Sequence, residues 1–490
     1  MSEPSVAIVG AGLGGLSAGC YGQINGLETR VFEAHALPGG VCTAWKRKGY
    51  TFDGCIHHLP GCQAQSGLYR LWEDLGTLPR PVLFPADLVR VEDAGGKGLT
   101  IFTDLERLEE EMKRAAPGDG RAIDAYLRGV RAFTRFELFD VLVDPARLLV
   151  KALPRLPRLA GWGKLSMAEA AKAFRDPFLR RAIPTLMYDR PETPLLIHLN
   201  MLGGCAAHRT GWPAGGSLEF ARSIEKRYQE LGGEIHYASR VAKILTEKGR
   251  AIGVRLADGT EHRADFVVSN AYAHATVFDL LDGRYVDDAW RAAFAEPEDR
   301  MVMGLHVSIG AARDLSGEAH AIVLWLPEAV TIAGEPRERL DLELFGFDPS
   351  LAPAGKGVLK VVLDTSYAYW KDLSPDPALY KSEKAQIAEA VVGALTGRFP
   401  GLEAEVETVD VATPMTTERY TGGGRTFKAA SAAAWMFDAL RARPKTVPGL
   451  EGFYLVGQWV GGAGLAGCAI MGRNAIRAIC RATRRPFRTL

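Results

Sequence analysis

The run Ser5-Val6-Ala7-Ile8-Val9-Gly10-Ala11-Gly12-Leu13-Gly14-Gly15 decides the fold of this 490-residue chain. Its first residues predict a short buried strand of apolar character, which ends abruptly in glycines. The apolar residues Leu16, Ala18 and Ile24 then predict a helix, and Glu28–Glu33 predicts a second strand. A GxGxxG turn that links a strand to a helix is the context in which this motif binds a dinucleotide.

The glycines of this turn each have a structural reason. Gly10 permits the tight turn, Gly12 lets the backbone approach a pyrophosphate, and Gly15 lets the helix pack closely on the strand. The pyrophosphate is expected at the N-terminus of the helix, where unpaired N–H groups and the helix dipole favour negative charge. Glu33 follows Gly10 by 23 residues and is placed to accept hydrogen bonds from a ribose. The sequence therefore predicts a Rossmann-type α/β domain.

Composition and charge place the chain among ordinary globular proteins. Lys and Arg (59) nearly balance Asp and Glu (58), so the charge does not indicate a nucleic-acid partner. No run approaches about twenty apolar residues, so we expect no transmembrane helix. The N-terminus contains Glu3 and lacks the basic region of a signal peptide. These features predict a cytoplasmic protein of two or three domains.

The seven cysteines are scattered and include no CxxC pair, which indicates reduced thiols rather than a disulfide framework. One cluster brings Cys55, His57, His58 and Cys62 within eight residues. Zinc sites usually pair two CxxC-like or HxxxH-like arms, and this cluster has neither. We therefore predict no metal site and interpret these cysteines as buried thiols beside a pocket.

Two later segments show the same α/β pattern. Ser217 is a candidate N-cap for an apolar helix, and short strands are predicted from Ile235 to Val268. Phe453–Gly457 predicts another buried strand, and the glycine array Gly461–Gly467 opens a final helix. This array is not expected to bind NAD, because too few residues follow it to form a second strand with a terminal acid.

The run from Gly10 to Gly40 resembles the dinucleotide-binding motif of the flavoproteins that include amine oxidases, protoporphyrinogen oxidase and phytoene desaturases. That resemblance implies non-covalently bound FAD, with Gly39 and Gly40 as a second close-approach pair. Many members carry Arg after this pair, whereas this chain has Val41. The predicted FAD-binding residues are Gly10, Gly12, Leu13, Gly14, Gly15, Glu33, Gly39, Gly40, Val41, Val241, Gly457, Gly462, Ala463, Gly464 and Leu465.

Glycine turns near both chain ends imply a discontinuous FAD-binding domain combined with a mixed α+β substrate domain. The FAD-binding segments are predicted at 1–75, 211–275 and 445–490. A helical substrate region with a membrane-facing part is predicted at 76–210, and a substrate domain of β-sheet and helices at 276–444. Strands are expected there at Met301–Ile309, Ala321–Leu326, Leu340–Leu344 and Val358–Leu363.

Within these flavoproteins, the chain is most similar to the phytoene desaturase, carotenoid isomerase and retinol saturase branch. The resemblance spans nearly the whole chain, and the segments that carry it are Gly49–Gly54, Trp212–Gly216, Val267–Ala271, Asp348–Pro353 and Gly457–Gly467. It implies a redox or isomerisation reaction at carbon–carbon bonds of a long, apolar, isoprenoid or polyene substrate.

Histidines near the flavin are the candidate acid–base groups. In this fold Gly49–Cys62 is expected to pass near the flavin, so we predict that His57 or His58 moves a proton. His198 and His208 are weaker candidates. A hydrogen-bonded structural histidine is the alternative for each of them.

The segment Pro145–Ala168 has no acidic residue and alternates basic with apolar side chains. One hypothesis is a peripheral membrane contact that admits an apolar substrate, with the basic groups toward anionic headgroups. The alternative is a solvated basic helix pair that covers the core. The sequence does not indicate an oligomeric state.

Two other functional classes stay open at this stage. One is an amine or porphyrinogen oxidase, although no aromatic amine cage is recognisable in the sequence. The other is a carrier of lipidated partners that resembles the Rab GDP-dissociation inhibitors and does not use flavin. The intact turn from Gly10 to Gly15, Glu33 and the array Gly461–Gly467 argue against a carrier.

Overall fold

The computed structural model describes residues 3–64, 66–138, 140, 143, 156–187, 190–295, 302–423, 446–458 and 464–490. The predicted FAD-binding residues Gly462 and Ala463 lie outside these ranges, as do residues 145–155 of the basic and apolar segment. Among the residues described, no helix combines the length and apolar character that crossing a membrane requires.

A parallel sheet, here called the cofactor sheet, contains the predicted Rossmann unit. Its strands in spatial order are Glu234–His236, Glu28–Phe32, Ser5–Val9, Phe266–Ser269 and Phe453–Leu455. All neighbouring pairs run parallel. Parallel strands are buried on both faces, which explains why these strands are nearly continuous apolar runs. The sheet draws on widely separated parts of the chain, so the predicted discontinuous assembly is confirmed.

A large mixed sheet, here called the substrate sheet, forms the second layer of the fold. Its strands in spatial order are Val406–Ala412, Val302–Ala311, Gly357–Ser366, Glu335–Leu344, Ala321–Ile332, Asp87–Glu92 and Gly98–Phe102. The pair Ala321–Ile332 and Asp87–Glu92 is parallel, and the other neighbours are antiparallel.

Smaller sheets connect these two layers. Val241–Glu247, Arg250–Leu256 and Glu261–Arg263 form an antiparallel sheet. Ala44–Arg47 pairs with Tyr50–Asp53. Thr210–Pro213 lies between Leu59–Pro60 and Val82–Leu83.

The helices cover the faces of both large sheets. Those of the first half are Leu13–Ile24, Gly67–Asp74, Leu105–Ala115, Gly120–Phe133, Leu156–Lys164, Met167–Ala171, Pro177–Ala182, Leu195–Ala206 and Gly216–Glu230. Those of the second half are Asp288–Ala293, Tyr367–Leu373, Pro377–Thr396, Leu402–Glu405, Pro414–Thr421 and Gly464–Ala482. Ala275–Leu280 is π-helical, and Pro117–Asp119, Ile183–Thr185 and Pro349–Leu351 are 3₁₀ turns.

Some strand predictions needed correction. Asp87–Glu92 and Gly98–Phe102 were not predicted, yet they extend the substrate sheet from the region expected to be helical. The predicted strands at 321–326 and 340–344 are both longer, because they form a hairpin that projects beyond the core. The turn residues Ala333 and Gly334 have positive φ, and polar residues near the turn hid the apolar alternation.

The first helix (Leu13–Ile24) packs against the last helix (Gly464–Ala482) at a glycine. A Cβ at Gly472 would lie 2.1 Å from the Gly14 carbonyl oxygen and 2.8 Å from the Ala18 nitrogen. Both neighbours are backbone atoms that a side-chain rotation cannot move. The two ends of the chain therefore meet through a backbone contact that only glycine permits at this position.

We predict that Gly472→Ala lowers the free energy of unfolding by about 1–3 kcal/mol, because the added methyl overpacks this contact. The matched control is Gly393→Ala in the helix Pro377–Thr396, where a Cβ meets no atom within 4 Å. The control is expected to be stabilised by up to about 1 kcal/mol through helix propensity. Urea denaturation of both variants measures the difference, and equal stability of Gly472→Ala and wild type would contradict the packing argument.

Candidate functional site

A cavity of about 460 Å³ lies at the carboxyl ends of the central strands of the cofactor sheet. Ligands of open α/β folds bind at this edge of the sheet. The predicted FAD-binding residues that line the cavity are Gly10, Gly12, Leu13, Gly14, Glu33, Gly39, Gly40, Val41, Val241, Gly457, Gly464 and Leu465. Gly15 packs below it instead, since a Cβ there would lie 2.0 Å from the Gly10 carbonyl oxygen.

The glycine turn leaves the N-terminus of the first helix open to the cavity. The helix begins at Leu13, and its N-cap residue Gly12 provides no capping side chain. Gly10 has a φ of +92°, which an L-residue with a side chain rarely adopts. Gly12, Leu13 and Gly14 all line the cavity, so the first N–H groups of the helix adjoin it. This arrangement fits a pyrophosphate.

Asn270 is a site residue that the sequence analysis did not single out. It follows the strand Phe266–Ser269, and its side chain lies among three glycines. A Cβ at Gly12 or Gly14 would lie 2.5 Å from the Asn270 amide, and a Cβ at Gly457 would lie 2.7 Å from it. Its position directly after a buried parallel strand was the available signal, because the carboxyl ends of neighbouring strands meet at one edge.

Glu33 lies at the end of the second strand, beside the glycine turn. One carboxylate oxygen accepts a hydrogen bond from the Ala11 N–H at 2.7 Å, and the other accepts from the His35 N–H at 2.9 Å. A carboxylate oxygen has more than one acceptor position, so the carboxylate retains the capacity to accept from a ribose hydroxyl. The residue lines the cavity next to Arg240 and Val241.

Arg240 is a second cavity residue that the sequence analysis missed. Val41 occupies the position where many related flavoproteins carry Arg, and it lines the cavity without charge. Arg240 places a guanidinium at the same cavity from the edge of the antiparallel strand that begins at Val241. Its sequence position next to Val241 was the only local signal. Together with the open helix N-terminus, this cation fits the anionic part of FAD.

The far end of the cavity is formed by the loop that follows Asp53. The buried Asp53 carboxylate accepts hydrogen bonds from the Ser217 N–H at 2.6 Å, the Ser217 hydroxyl at 2.7 Å and the Cys55 N–H at 3.1 Å. The Ser217 hydroxyl oxygen also accepts the Ile56 N–H at 2.8 Å. Burial raises the pKa of Asp53, and the Lys360 charge and these hydrogen bonds oppose that increase. The network fixes the loop that carries His57.

A second buried carboxylate explains the segment Trp212–Gly216. Asp348 accepts the Trp212 indole N–H at 2.8 Å and the Gly215 N–H at 2.8 Å. Gly216 has a φ of +72°, and a Cβ there would lie 2.4 Å from the Asp53 carboxylate. Two carboxylates from distant parts of the sequence therefore hold this turn at the N-terminus of the helix Gly216–Glu230.

The two predicted acid–base histidines both line the cavity. His57 contacts the Glu343 carboxylate through its Nδ1 atom. Burial, together with the nearby His320 and His57, lowers the pKa of His58 to about 3. The ring of His58 meets the ring of His320 edge-on with 5.8 Å between centroids. His58 is therefore neutral across the physiological pH range.

The weaker candidates His198 and His208 do not line the cavity. His198 is buried in the helix Leu195–Ala206 and hydrogen-bonds the Tyr126 hydroxyl at 2.6 Å. Burial lowers the pKa of His198 to about 4. His208 stacks on Phe84 with 4.7 Å between ring centroids. Met201 is the residue of the helix Leu195–Ala206 that lines the cavity, and His208 lies beyond the end of this helix.

Three thiols line the cavity: Cys42, Cys55 and Cys468. The neighbouring Cys55 and burial raise the pKa of Cys42, and burial raises the pKa of Cys468 to about 12. These values keep both groups as uncharged thiols. Within the described ranges, no group of three or more His, Cys, Asp or Glu residues is arranged to hold a metal ion.

The sequence model of the family described as flavin containing amine oxidoreductase matches residues 13–480 of this chain. The match begins at the first residue of the first helix, directly after Gly12, and ends in the last helix, so it covers the glycine array Gly461–Gly467. It therefore includes the residues that line the cavity apart from Val9, Gly10 and Gly12.

Two curated proteins illustrate the relatives of this chain. A phytoene desaturase (lycopene-forming) from Paracoccus sp. is 28% identical over 505 residues, which cover 94% of this chain and 94% of that protein. A chloroplastic prolycopene isomerase from Arabidopsis thaliana is 25% identical over 441 residues, which cover 84% of this chain and 72% of that protein. Both similarities extend over most of the chain.

A solved structure supports the fold assignment. The crystal structure of an oxidoreductase from Methanosarcina mazei superposes with a TM-score of 0.62 at 21% identity. The match covers 96% of this chain and 100% of that chain. At this identity the similarity establishes the fold, in which a parallel sheet is combined with a curled mixed sheet.

We predict that Glu33→Ala weakens FAD binding about 10- to 100-fold, because hydrogen bonds to a charged group contribute about 1.5–3 kcal/mol. The control is Glu234→Ala, which removes an exposed carboxylate from the edge strand of the same sheet, away from the cavity. Titration of flavin-free protein with FAD, followed by flavin fluorescence, gives both dissociation constants. Equal affinity of Glu33→Ala and Glu234→Ala would exclude a role for Glu33 in binding.

Proposed function

The chain belongs to the flavin-containing amine oxidoreductase family, and from that premise we propose that it acts on carbon–carbon bonds of a long apolar polyene or isoprenoid. Family membership makes it an FAD-dependent oxidoreductase. The proposed reaction is a desaturation, a saturation or a cis–trans isomerisation. The similarity to a phytoene desaturase and a prolycopene isomerase over most of the chain supports this substrate class.

The structural observation that carries the proposal is a pair of narrow crevices beyond His58, of which the second is mainly apolar. One crevice of about 20 Å³ lies between His57, His58 and a group of aromatic side chains. A second crevice of about 20 Å³ begins at His58 and lies between Met201, in the helix Leu195–Ala206, and the substrate sheet. The aromatic and aliphatic side chains that line the crevices are Trp212, Phe345, Phe347, Leu88, Val89, Leu186, Ile322, Val323 and Leu342.

Each crevice has room for about one water molecule. A carbon chain would therefore enter by displacing these side chains, and the apolar lining would compensate for its transfer from water. The crevices thus extend the cavity in the directions that an elongated apolar substrate requires.

The residues of the chain have separable roles in this reaction. The glycine turns, Glu33 and Arg240 bind the cofactor, and the Asp53–Ser217 network fixes the loop from Cys55 to His58 against the cavity. When bound, FAD supplies the capacity to accept or donate a hydride. Apolar lining residues exclude water and orient the carbon–carbon bond. We propose that His57 or His58 holds or moves the accompanying proton.

The cavity gives less support to an amine oxidase. Recognition of a cationic amine calls for aromatic faces or a carboxylate at the reacting end. The aromatic residues of the main cavity are Phe32, Tyr272 and Tyr420, and its carboxylate is Glu33. The Glu343 carboxylate beyond His57 is already paired with Lys360. The carrier of lipidated partners is disfavoured because the cofactor residues are intact and the family is enzymatic.

Peripheral membrane contact through residues 145–168 stays a prediction. In the described part, the helix Leu156–Lys164 packs Leu159 and Trp162 against the helical core. Trp162 lies 5.7 Å from Phe133, measured between ring centroids. This packing favours the alternative in which the basic segment covers the core.

The decisive experiment is an absorbance spectrum of the purified protein before and after denaturation, followed by anaerobic mixing with candidate substrates. The panel contains carotenoid precursors and retinoids, with putrescine and protoporphyrinogen as representatives of the alternative oxidases. We expect denaturation to release FAD. If the protein is a desaturase, we expect its polyene substrate to bleach the flavin on anaerobic mixing. For an isomerase or a saturase, we expect conversion of a polyene in the presence of reduced flavin.

Either alternative predicts a different result. Bleaching by the amine or the porphyrinogen alone would exclude the polyene proposal. A protein that holds no flavin, even after reconstitution with FAD, would favour the carrier.

We predict that His57→Ala or His58→Ala lowers turnover about 100-fold or more while FAD remains bound, because acid–base catalysis contributes about 10²- to 10⁴-fold. The matched control is His208→Ala, which removes a histidine that stacks on Phe84 away from the cavity. Turnover and FAD content are measured for all three variants. Full turnover in both His57→Ala and His58→Ala would exclude acid–base catalysis by this pair.

A further inference from the structure

Two charged side chains lie next to each other beyond His57: Glu343, which also lines the first crevice, and the buried Lys360. Glu343 contacts His57 Nδ1 with one carboxylate oxygen, and its second oxygen lies 2.5 Å from Lys360 Nζ. Lys360 also donates a hydrogen bond to the Asp53 carbonyl oxygen at 3.1 Å. The three side chains form a continuous path from the cavity into the core of the substrate sheet.

The substrate sheet sets this arrangement by its register. Glu343 and Lys360 lie on neighbouring antiparallel strands and are directly opposite each other. Lys360 is completely buried and Glu343 is 6% exposed. The Lys360 ammonium also lies 5.4 Å from the centre of the Phe345 ring. Because cross-strand partners are close, the strand pairing itself places the ammonium against the carboxylate.

A carboxylate is an acceptor only, so the contact fixes the hydrogen on His57 Nδ1. Burial raises the pKa of Glu343, but the charges of His57 and Lys360 outweigh this and hold that pKa well below its usual range. Glu343 is therefore ionised at neutral pH, and Lys360 supplies the balancing charge. Without Lys360, Glu343 would have the imidazolium form of His57 as its direct counter-charge.

The ionisable groups around His57 come from every neighbouring element: Asp53, His58, Asp87, His306, His320, Glu343 and Lys360. Burial lowers the pKa of both His58 and His306 to about 3, so both are neutral. His320 is paired with Asp87 at 3.0 Å. Among these groups, Glu343 and Lys360 are the charges that act most directly on His57.

Stability alone does not explain a buried ion pair. Desolvation offsets most of the attraction between two buried charges, and well-packed apolar residues often replace such a pair without loss. Retaining Lys360 and Glu343 in the core behind a cavity residue is therefore better explained by their effect on that residue.

We propose that Glu343 and Lys360 are positioning residues for His57: Glu343 orients the imidazole, and Lys360 neutralises Glu343 so that His57 can exchange a proton. This inference rests on the proposed function, because it gives His57 the proton-handling role there. It also favours His57 over His58 as the group that moves the proton.

The test measures carbethoxylation of His57 by diethyl pyrocarbonate, which reacts with neutral imidazole, in the FAD-loaded protein between pH 5 and pH 9. Peptide mass spectrometry quantifies His57, with His236 and His262 of the cofactor domain as internal references. The variants are Glu343→Gln, Lys360→Met and the double variant. The matched control is Lys356→Met, which removes a lysine from the surface pair with Glu407.

In Lys360→Met the carboxylate keeps His57 protonated, so we expect the loss of reactivity at acid pH to begin about one to three pH units higher than in wild type. In Glu343→Gln we expect His57 to lose its reactivity at a lower pH than in wild type, because Lys360 then repels a protonated His57. In the double variant, this loss of reactivity should also occur at a lower pH than in wild type, but the difference should be smaller than in Glu343→Gln. Lys356→Met should follow wild type.

The proposal would be overturned if the curves of His57 reactivity against pH for both single variants matched the curve for Lys356→Met. The pair of Glu343 and Lys360 would then have a purely structural role. If a single variant fails to fold or to hold FAD, the double variant decides, since it buries no unpaired charge. Because the double variant also lacks the carboxylate that orients the imidazole, a wild-type curve together with unchanged turnover then overturns the proposal.

Carbethoxylation needs no substrate, so this result is independent of whether the polyene proposal holds. With a substrate that the enzyme turns over, Glu343→Gln should lower kcat about tenfold or more and change KM by less than about twofold, as expected for a transition-state effect. A change confined to KM would contradict the positioning role.

Discussion

The close backbone approach at the carboxyl ends of two parallel strands is the constraint on which the cofactor cavity depends. Asn270 follows one strand and fills the space between Gly12 and Gly14, which follow the other, while Gly457 approaches it from the end of the chain. A methyl group at any of these glycines would meet the amide at 2.7 Å or less. A separate close approach at Gly472 brings the last helix against the first. The first and last parts of the chain are therefore parts of one binding edge.

Buried carboxylates connect this edge to the substrate sheet. Asp53 and Asp348 each accept several hydrogen bonds from the turn Trp212–Gly216 and the residue after it, so a segment of the cofactor domain is fixed from both sides. A buried carboxylate is costly unless its oxygens are hydrogen-bonded, and here they are. The consequence for function is a rigid loop from Cys55 to His58. A proton-handling group needs such rigidity, because small displacements of a reacting group cost much of its effect.

The electrostatics of the reacting end differ between neighbouring residues. His58 and His306 are held neutral by burial, whereas His57 contacts an ionised carboxylate whose charge Lys360 balances. Two adjacent histidines in one loop thus have different environments, which gives a physical reason for assigning them different roles. The crevices beyond His58 combine aliphatic and aromatic side chains with one carboxylate each, Glu343 in the first and Asp341 in the second.

The sequence by itself determined the α/β fold, the discontinuous cofactor domain, the glycines of the cavity and Glu33, because these features depend on neighbouring residues and on the strict geometry of a strand–turn–helix unit. It also predicted that the loop with His57 and His58 passes near the cofactor, and both residues line the cavity. The boundaries of the hairpin around Ala333 and the strands Asp87–Glu92 and Gly98–Phe102 were missed, although both are local hairpins. The parallel pairing that joins the two hairpins links distant parts of the chain. Only the tertiary structure decided that Glu343 and Lys360 lie behind His57, since these partners are separated from the loop by 286 and 307 residues. Contacts of that kind are set by sheet register and by packing between domains, which no local pattern encodes.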